Sequence, residues 1–413
     1  MIKFGEYLKE EKNTHMTHIE DQVIYGGVNG AREAILALRA LRDMLSGNAT
    51  GASDVTVKWD GAPAVFCGID PTDGKFFVAK KGIFNKNPKV YKTNSDIDED
   101  ISSAELNFKM KVALAELSKL GIKGVVQGDI MFTSDDLKKE TIDGESYVTF
   151  HPNTIVYAVP MASDEAKRIR SARIGVVFHT SYEGKDFESM RANYGVDASK
   201  FRKVKSVWAR DAGVRDLSGT VTLTKAETAD VTKSLSEAGR IFKQIASSTL
   251  RQIESNQELA RTIETYNNTF VRANKPIGDT TKHVDGLINY INTKFQKEID
   301  KRKSDAGKTA QAKKRDEFLN FFSESNKKNL KLLFDLQKAL VVAKLKIINK
   351  LNKLSKINTF VKTKNGFKVT GAEGFVAIDR IKGGAVKLVD RLEFSTNNFS
   401  PDIIKGWDTP SRS

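Results

Sequence analysis

The chain has 413 residues and a net charge of +15, with 29% charged and 39% hydrophobic residues. This is the balance of a soluble globular protein with room for two or three cores, and no apolar run approaches a transmembrane span. The positive excess favours an anionic partner, nucleic acid before membrane surface, because no amphipathic stretch pairs its lysines with Trp and Phe as an interfacial anchor would.

The N-terminal stretch Met1 to Glu11 has no apolar segment of signal length. With a single cysteine, Cys67, no internal disulfide can form, which fits a reducing cytoplasm (that of the host cell if the chain is viral). Thr17-His18-Ile19-Glu20-Asp21 is a dense polar cluster before Gly26-Gly27, and is read as a helix cap or surface turn. Ala31, Ile35, Leu38, Leu41 and Leu45 recur at helical spacing, so residues 30–46 are predicted as an amphipathic helix ended by Gly47. That helix is expected to pack on the sheet that carries Lys58.

Residues 54–68 organise the chain. Val55 to Val57 and Ala64 to Ile69 read as strands, with Lys58 to Pro63 as the tight loop between them. Gly61 permits a positive φ there and the Pro63 ring fixes its own, negative φ, so the loop has backbone reasons for its composition. A lysine amine held between strands becomes a nucleophile once it has lost its proton. Cys67, flanked by Val65 and Phe66, reads as a core thiol. Pro71-Thr72-Asp73-Gly74 marks a turn into a second strand, Lys75 to Lys80, followed by Lys81-Gly82.

Further on, residues 102–120 read as a helix closed by Gly121, and Val125-Val126-Gln127-Gly128-Asp129 as an apolar strand running into Gly-acid. Strands are expected at 146–150, 154–159 and Ile174 to Phe178. From 219 to 358 helical spacing dominates, most clearly at 330–354, with 234–272 and 282–304 also helical and 303–316 an exposed connection. The sheet pattern returns at 366–370 and at Glu373-Gly374-Phe375-Val376, and Lys387 follows in Ala-Val-Lys-Leu-Val-Asp. The five histidines show no metal-ligand spacing with the lone cysteine.

Lys58-x-Asp60-Gly61 resembles motif I of the covalent nucleotidyltransferases, the DNA ligases, RNA ligases and mRNA capping enzymes. The later pieces resemble that superfamily's other motifs in order. Lys81, or Lys80 one position earlier, matches motif Ia. Gly128-Asp129 matches motif III with Asp in place of the usual Glu. Phe178 matches the aromatic of motif IIIa, Glu373-Gly374 matches motif IV, and Lys387 matches motif V, where Lys382 is a candidate helper because Val389 replaces the usual second lysine. The resemblance spans roughly 54–180 and 366–395.

The resemblance implies an α+β fold: an antiparallel-sheet nucleotidyltransferase core, ATP-grasp-like, with a large inserted α-helical domain. The core's first part is expected at 1–218, the insert at 219–358 and the second part at 359–413. Only 26 residues follow Lys387, too few for the OB-fold of DNA ligases and capping enzymes, so the branch implied is the bacteriophage-type ATP-dependent RNA ligase. Lys58 would carry AMP, Asp60 would act with it as a catalytic residue that orients the loop and assists later steps, Gly61 would belong to the nucleotide-binding set, and catalytic Lys387 and Lys81 would meet the phosphates. Asp129 would accept from the ribose, Phe178 would stack on the purine, and Glu373 would serve Mg²⁺. The partner would be RNA ends, with DNA the lesser expectation, and lysines of the helical region would guide the backbone. The alternative is a non-catalytic nucleic-acid-binding or virion-associated protein on a degenerate version of the fold; a GTP-using guanylyltransferase ranks third.

Overall fold

The computed structural model describes residues 16–47, 53–213, 223–353, 357–379 and 385–406. Lys382 lies outside the described residues. The chain is α+β, and among the described residues its strand pairs are antiparallel with one parallel exception, Val207–Asp211 on Ile174–Glu183.

In chain order the strands are β1 (Ser53–Lys58), β2 (Ala64–Ile69), β3 (Phe76–Ala79), β4 (Val125–Thr133), β5 (Lys138–Ile142), β6 (Glu145–Phe150), β7 (Ile155–Pro160), β8 (Ile174–Glu183), β9 (Arg191–Tyr194), β10 (Val207–Asp211), β11 (Asn358–Thr363), β12 (Gly366–Val369), β13 (Gly374–Asp379), β14 (Ala385–Leu388) and β15 (Ile403–Ile404). They form three sheets. A small one runs β1-β13-β14, a central one β10-β8-β4-β2-β3 with β9 on β8, and a third β12-β11-β7-β6-β5 with β15 on β11. The small and central sheets meet where Val57 N–H donates to Ala212 O at 2.7 Å, just past the end of β10. Beyond β14, Lys387 N–H donates to Thr17 O at 3.1 Å, so the N-terminal segment extends the small sheet.

The helices are α1 (Gln22–Tyr25), α2 (Gly27–Leu45), α3 (Asn94–Asp100), α4 (Ala104–Leu117), α5 (Asp164–Ser171), α6 (Lys225–Phe242), α7 (Ser247–Ser255), α8 (Gln257–Arg272), α9 (Thr280–Asp300), α10 (Asp305–Leu319), α11 (Glu324–Asn352) and α12 (Arg391–Phe399). Local chemistry starts many of them. Thr224 accepts from Glu227 N–H while the Glu227 carboxylate takes the Thr224 N–H, a capping box at the head of α6. Ser103, Ser304, Ser323 and Asp390 cap α4, α10, α11 and α12 in the simpler one-way form. The stretch 303–316, expected as a connection, forms most of α10. Its sequence has good helix formers and a cap but little to bury, and Phe318 is the buried residue of that helix.

Three cores position the site. Helix α4 covers one face of the central sheet, its Met110, Ala113 and Leu117 meeting Val65, Cys67, Val126 and Val176. Cys67 is fully buried there, as its apolar neighbours predicted, and burial pushes its thiol far up. A second core, of Phe132, Phe150, Tyr157 and Trp208, joins the third sheet to the central one. The largest joins α2, α6, α9 and α11 to the small sheet through Val55, Phe375, Ala377 and Leu388. The helix predicted at 30–46 therefore packs on the sheet of Lys58 and more extensively into the helical bundle.

The polar cluster at 17–21 departs from expectation. Glu20 and Asp21 are buried, not capping a surface turn. Glu20 pairs with Lys344 of α11 at 2.8 Å, and Asp21 with Arg391 of α12 at 3.0 Å. Burial works against the Glu20 charge, but Lys344, His18 and Arg391 overcome it and hold that carboxyl at about 2. Sequence periodicity sees only local neighbours, and these partners lie more than 300 positions away.

Candidate active site around Lys58

Strand alternation places the two lysines together. Val55 and Val57 of β1 turn toward the helical bundle, so Thr56 and Lys58 turn away from it. On β13, Val376 pairs with Lys387 of β14, and Lys58 pairs with Gly374. Lys58 and Lys387 consequently share the face of the small sheet opposite the bundle. Glu373, one residue before β13, forms an ion pair with the Lys58 amine. Its side chain is 10% exposed, that of Lys58 32%.

The electrostatics follow from that crowding. Burial raises the Glu373 carboxyl to about 7, Lys58 pulls it down, and the carboxylates of Asp60 and Asp129 push it up again. Lys387 is lowered, first by burial and then by the charge of Lys58, with Glu373 opposing. Two amines and a carboxylate of near-neutral pKa are thus grouped at one strand end.

Asp60 does not face this group as a free carboxylate. It is 6% exposed and accepts from Thr154 N–H at 2.6 Å, Ile155 N–H at 2.8 Å and Asn153 Nδ2 at 2.8 Å. Its own N–H donates to the Tyr157 hydroxyl at 2.7 Å. Burial pushes its pKa up against those donors. Asp60 is the anchor that ties the lysine loop to the start of β7, a positioning residue. The loop's other wall is β4: Ala62 N–H donates to Ile130 O and Ile130 N–H to Pro63 O, both at 3.0 Å. Gly61 has its reason here. A Cβ on it would stand 2.6 Å from Asp129 Cβ and 2.7 Å from Met131 Sδ.

Asp129 lies opposite Ala64 of β2 and Val177 of β8, partly exposed, with its Oδ2 3.6 Å from His179 Nε2. Lys81 is exposed in a short turn after β3. The pairing of β2 with β3 ends at Phe66 and Ala79, two residues before it. The alternative, Lys80, lies 3.6 Å from Asp100.

Phe178 is placed elsewhere. It is fully buried in the core under α4, edge-on to Phe201 at 5.2 Å, on the sheet face away from Asp129. The cause is a bulge: the register shifts between Gln127 and Gly128, and the next residue, His179, is the ring beside Asp129. Sequence reasoning preferred the aromatic at the end of an apolar run, and apolar runs end in cores. A polar ring following such a run was the available signal. Also missed were Gln127, whose Oε1 accepts from the Tyr182 hydroxyl at 2.7 Å, and the rings of Phe66, Phe84 and Tyr182, with centroids 5.2–5.7 Å apart. Gln127 is two residues from Asp129 along β4 and so shares its face.

Lys58, Glu373 and Lys387 thus come together, with Asp129 close enough to act on Glu373, Gly61 packed on Asp129, Asp60 behind the loop, Lys81 in the exposed turn after β3 and Phe178 outside. Among the described residues no group of three or more His, Cys, Asp and Glu forms a metal site. No curated protein and no solved structure matches the chain. A family profile matches residues 13–402, nearly the whole length, and by that match the chain belongs to the DUF6267 family, a family of unknown function.

Proposed function

We propose that the chain is an ATP-dependent polynucleotide ligase, with RNA as substrate before DNA, working through a lysyl-AMP intermediate. The observation that carries the reading is the Lys58–Glu373 pair with Lys387 on the same sheet face. In the reaction the Lys58 amine attacks the α-phosphorus of ATP. An N–P bond forms, the P–O bond to pyrophosphate breaks, and pyrophosphate leaves. The amine's proton has a nearby acceptor in Glu373, whose pKa of about 7 suits general-base work at neutral pH. Lys387 stabilises the charge that develops on the α-phosphate oxygens. AMP then passes to a 5′-phosphate end, and a 3′-hydroxyl displaces it to make the phosphodiester.

Mg²⁺ commonly takes one or two carboxylates and completes its shell with phosphates and water. Glu373 would suit that mode only while it is ionised and not holding the Lys58 proton, with Asp129 nearby. Such an ion would neutralise phosphate charge.

The second reading, a nucleic-acid-binding protein without catalysis, draws on the engagement of the Lys58 amine by Glu373. One experiment separates the two. Protein and Lys58→Ala are incubated with α-labelled ATP or GTP and Mg²⁺ and run on a denaturing gel. Label from ATP that survives denaturation and vanishes in Lys58→Ala is expected. Equal label in Lys58→Ala would remove the lysine from the chemistry, and no label in folded protein free of prior adenylylation would favour the binding reading.

A further inference from the structure

Behind the reactive loop lies a cleft of 1560 Å³. Val57 and Trp59 of the β1 end, with Ala372 and Phe375, form one wall, and the end of α11 forms another. The remaining sides come from β10 and the 201–205 loop, and from β11 with the end of β12. Trp59, the residue after β1, packs on Tyr157 and Trp208 and lines the cleft, so the cleft and the lysine flank the same short segment.

The lining is basic. Arg202, Lys203 and Lys205 sit on one loop, exposed, and among the described residues none of the three makes an ion pair. Lys353 adds a further cation, while Arg168 and Arg210 also line the cleft but pair with Glu165 at 3.2 and 3.7 Å. Against these stand Asp143, Asp211 and Glu393, and Glu393 is already engaged by Thr370 and the Gly371 N–H. Aromatic surface accompanies the charge: Trp59 is partly exposed and stacked on Tyr157 with centroids 5.0 Å apart. Unpaired cations on an open loop beside a partly exposed indole are what a single strand needs: phosphate contacts by charge and base contacts by stacking. Duplex fits less well, because its bases are not free to stack on Trp59.

We propose that this cleft binds a single-stranded polynucleotide, its backbone along Arg202, Lys203 and Lys205 and a base against Trp59, which brings the strand to the loop that carries Lys58. The proposal rests on the ligase reading for the strand's fate, but its binding is measured without any covalent step. The test is fluorescence anisotropy of a labelled single-stranded RNA of about twelve nucleotides, within the usual reach of one such groove, titrated with the full chain at several salt concentrations. The Arg202→Ala/Lys203→Ala/Lys205→Ala variant is expected to flatten the slope of log K against log salt by about 2, since each lost single-strand contact removes roughly 0.7. Trp59→Leu should weaken binding by about tenfold and Trp59→Phe by less, at little change in slope. Thermal melts check that each variant is folded.

An unchanged affinity and slope in the folded triple variant would overturn the proposal. So would duplex binding as tight as single strand through the same residues. If RNA binds as expected while no covalent label forms, the cleft stands and the ligase reading falls; label with cleft-independent RNA binding gives the reverse.

Discussion

Glu373 is the residue whose titration the chemistry should report. Burial raises its pKa from 4.5 to about 7. Below that value the carboxyl is protonated and cannot take a proton from Lys58; above it, it can. Labelling should therefore accelerate as pH rises from about 6 to about 8, with an inflection near the Glu373 pKa that is lost in Glu373→Gln. A flat profile over that window in the native protein would remove Glu373 as proton acceptor. The same shift has a stability sign. The folded state holds this proton between pH 4.5 and about 7, so the buried group weakens the fold as pH rises through that window. Gly61 supplies a steric prediction at the same scale. Gly61→Ala puts a methyl against Asp129 and Met131, so the loop must move off β4. A shift of about 1 Å is enough to reduce labelling about a hundredfold, measured as initial rate in protein shown to be folded.

Between elements, the buried pair of Glu20 and Lys344 joins the N-terminal segment to α11, while Asp21 with Arg391 reaches α12. Lys344→Met leaves Glu20 buried with Arg391 at 3.6 Å as its remaining cation. Breaking such a pair costs about 3 kcal/mol, to be read from denaturant unfolding. The Glu20 pKa is depressed, so its contribution is fully present above pH 4.5 and is lost as pH falls toward about 2. The variant should accordingly lose the acid-side part of its stability profile. A Lys344→Met protein as stable as the native one would mean that the bundle holds the N-terminal segment by apolar packing alone.

Across the molecule, the helices of 225–352 are not an appendage. Their core includes Phe375, Ala377 and Leu388 of the small sheet, the sheet that holds both Lys58 and Lys387. Deleting residues 223–353 would expose those side chains and release β1. The expected outcome is insoluble protein, or soluble protein with no label; a soluble and labelling deletion variant would show that the sheet stands alone. The salt dependence of RNA binding also belongs to this scale, because it sums the contacts of the cleft, not those of one residue.

Much of this architecture was legible in the chain. Period-3.6 and period-2 patterns located α2, α4, α11 and the strands of 54–69 and 125–132, because local side-chain periodicity is set by which face is buried. The motif order brought Lys58, Asp129, Glu373 and Lys387 forward as candidates, and these are the residues that the fold brings together. Phe178 was lost to a one-residue bulge, since a shift of one position reverses every side chain on a strand, and its one local signal was the polar ring of His179 after the apolar run. Asp60 turned out to be an anchor and the 17–21 cluster a buried ionic joint because their partners, Thr154 and Ile155 in one case, Lys344 and Arg391 in the other, are distant in sequence. The cleft behind β1 has walls from many stretches distant in sequence. Local periodicity determined which residues form elements; only long-range register and packing decided which of them face each other.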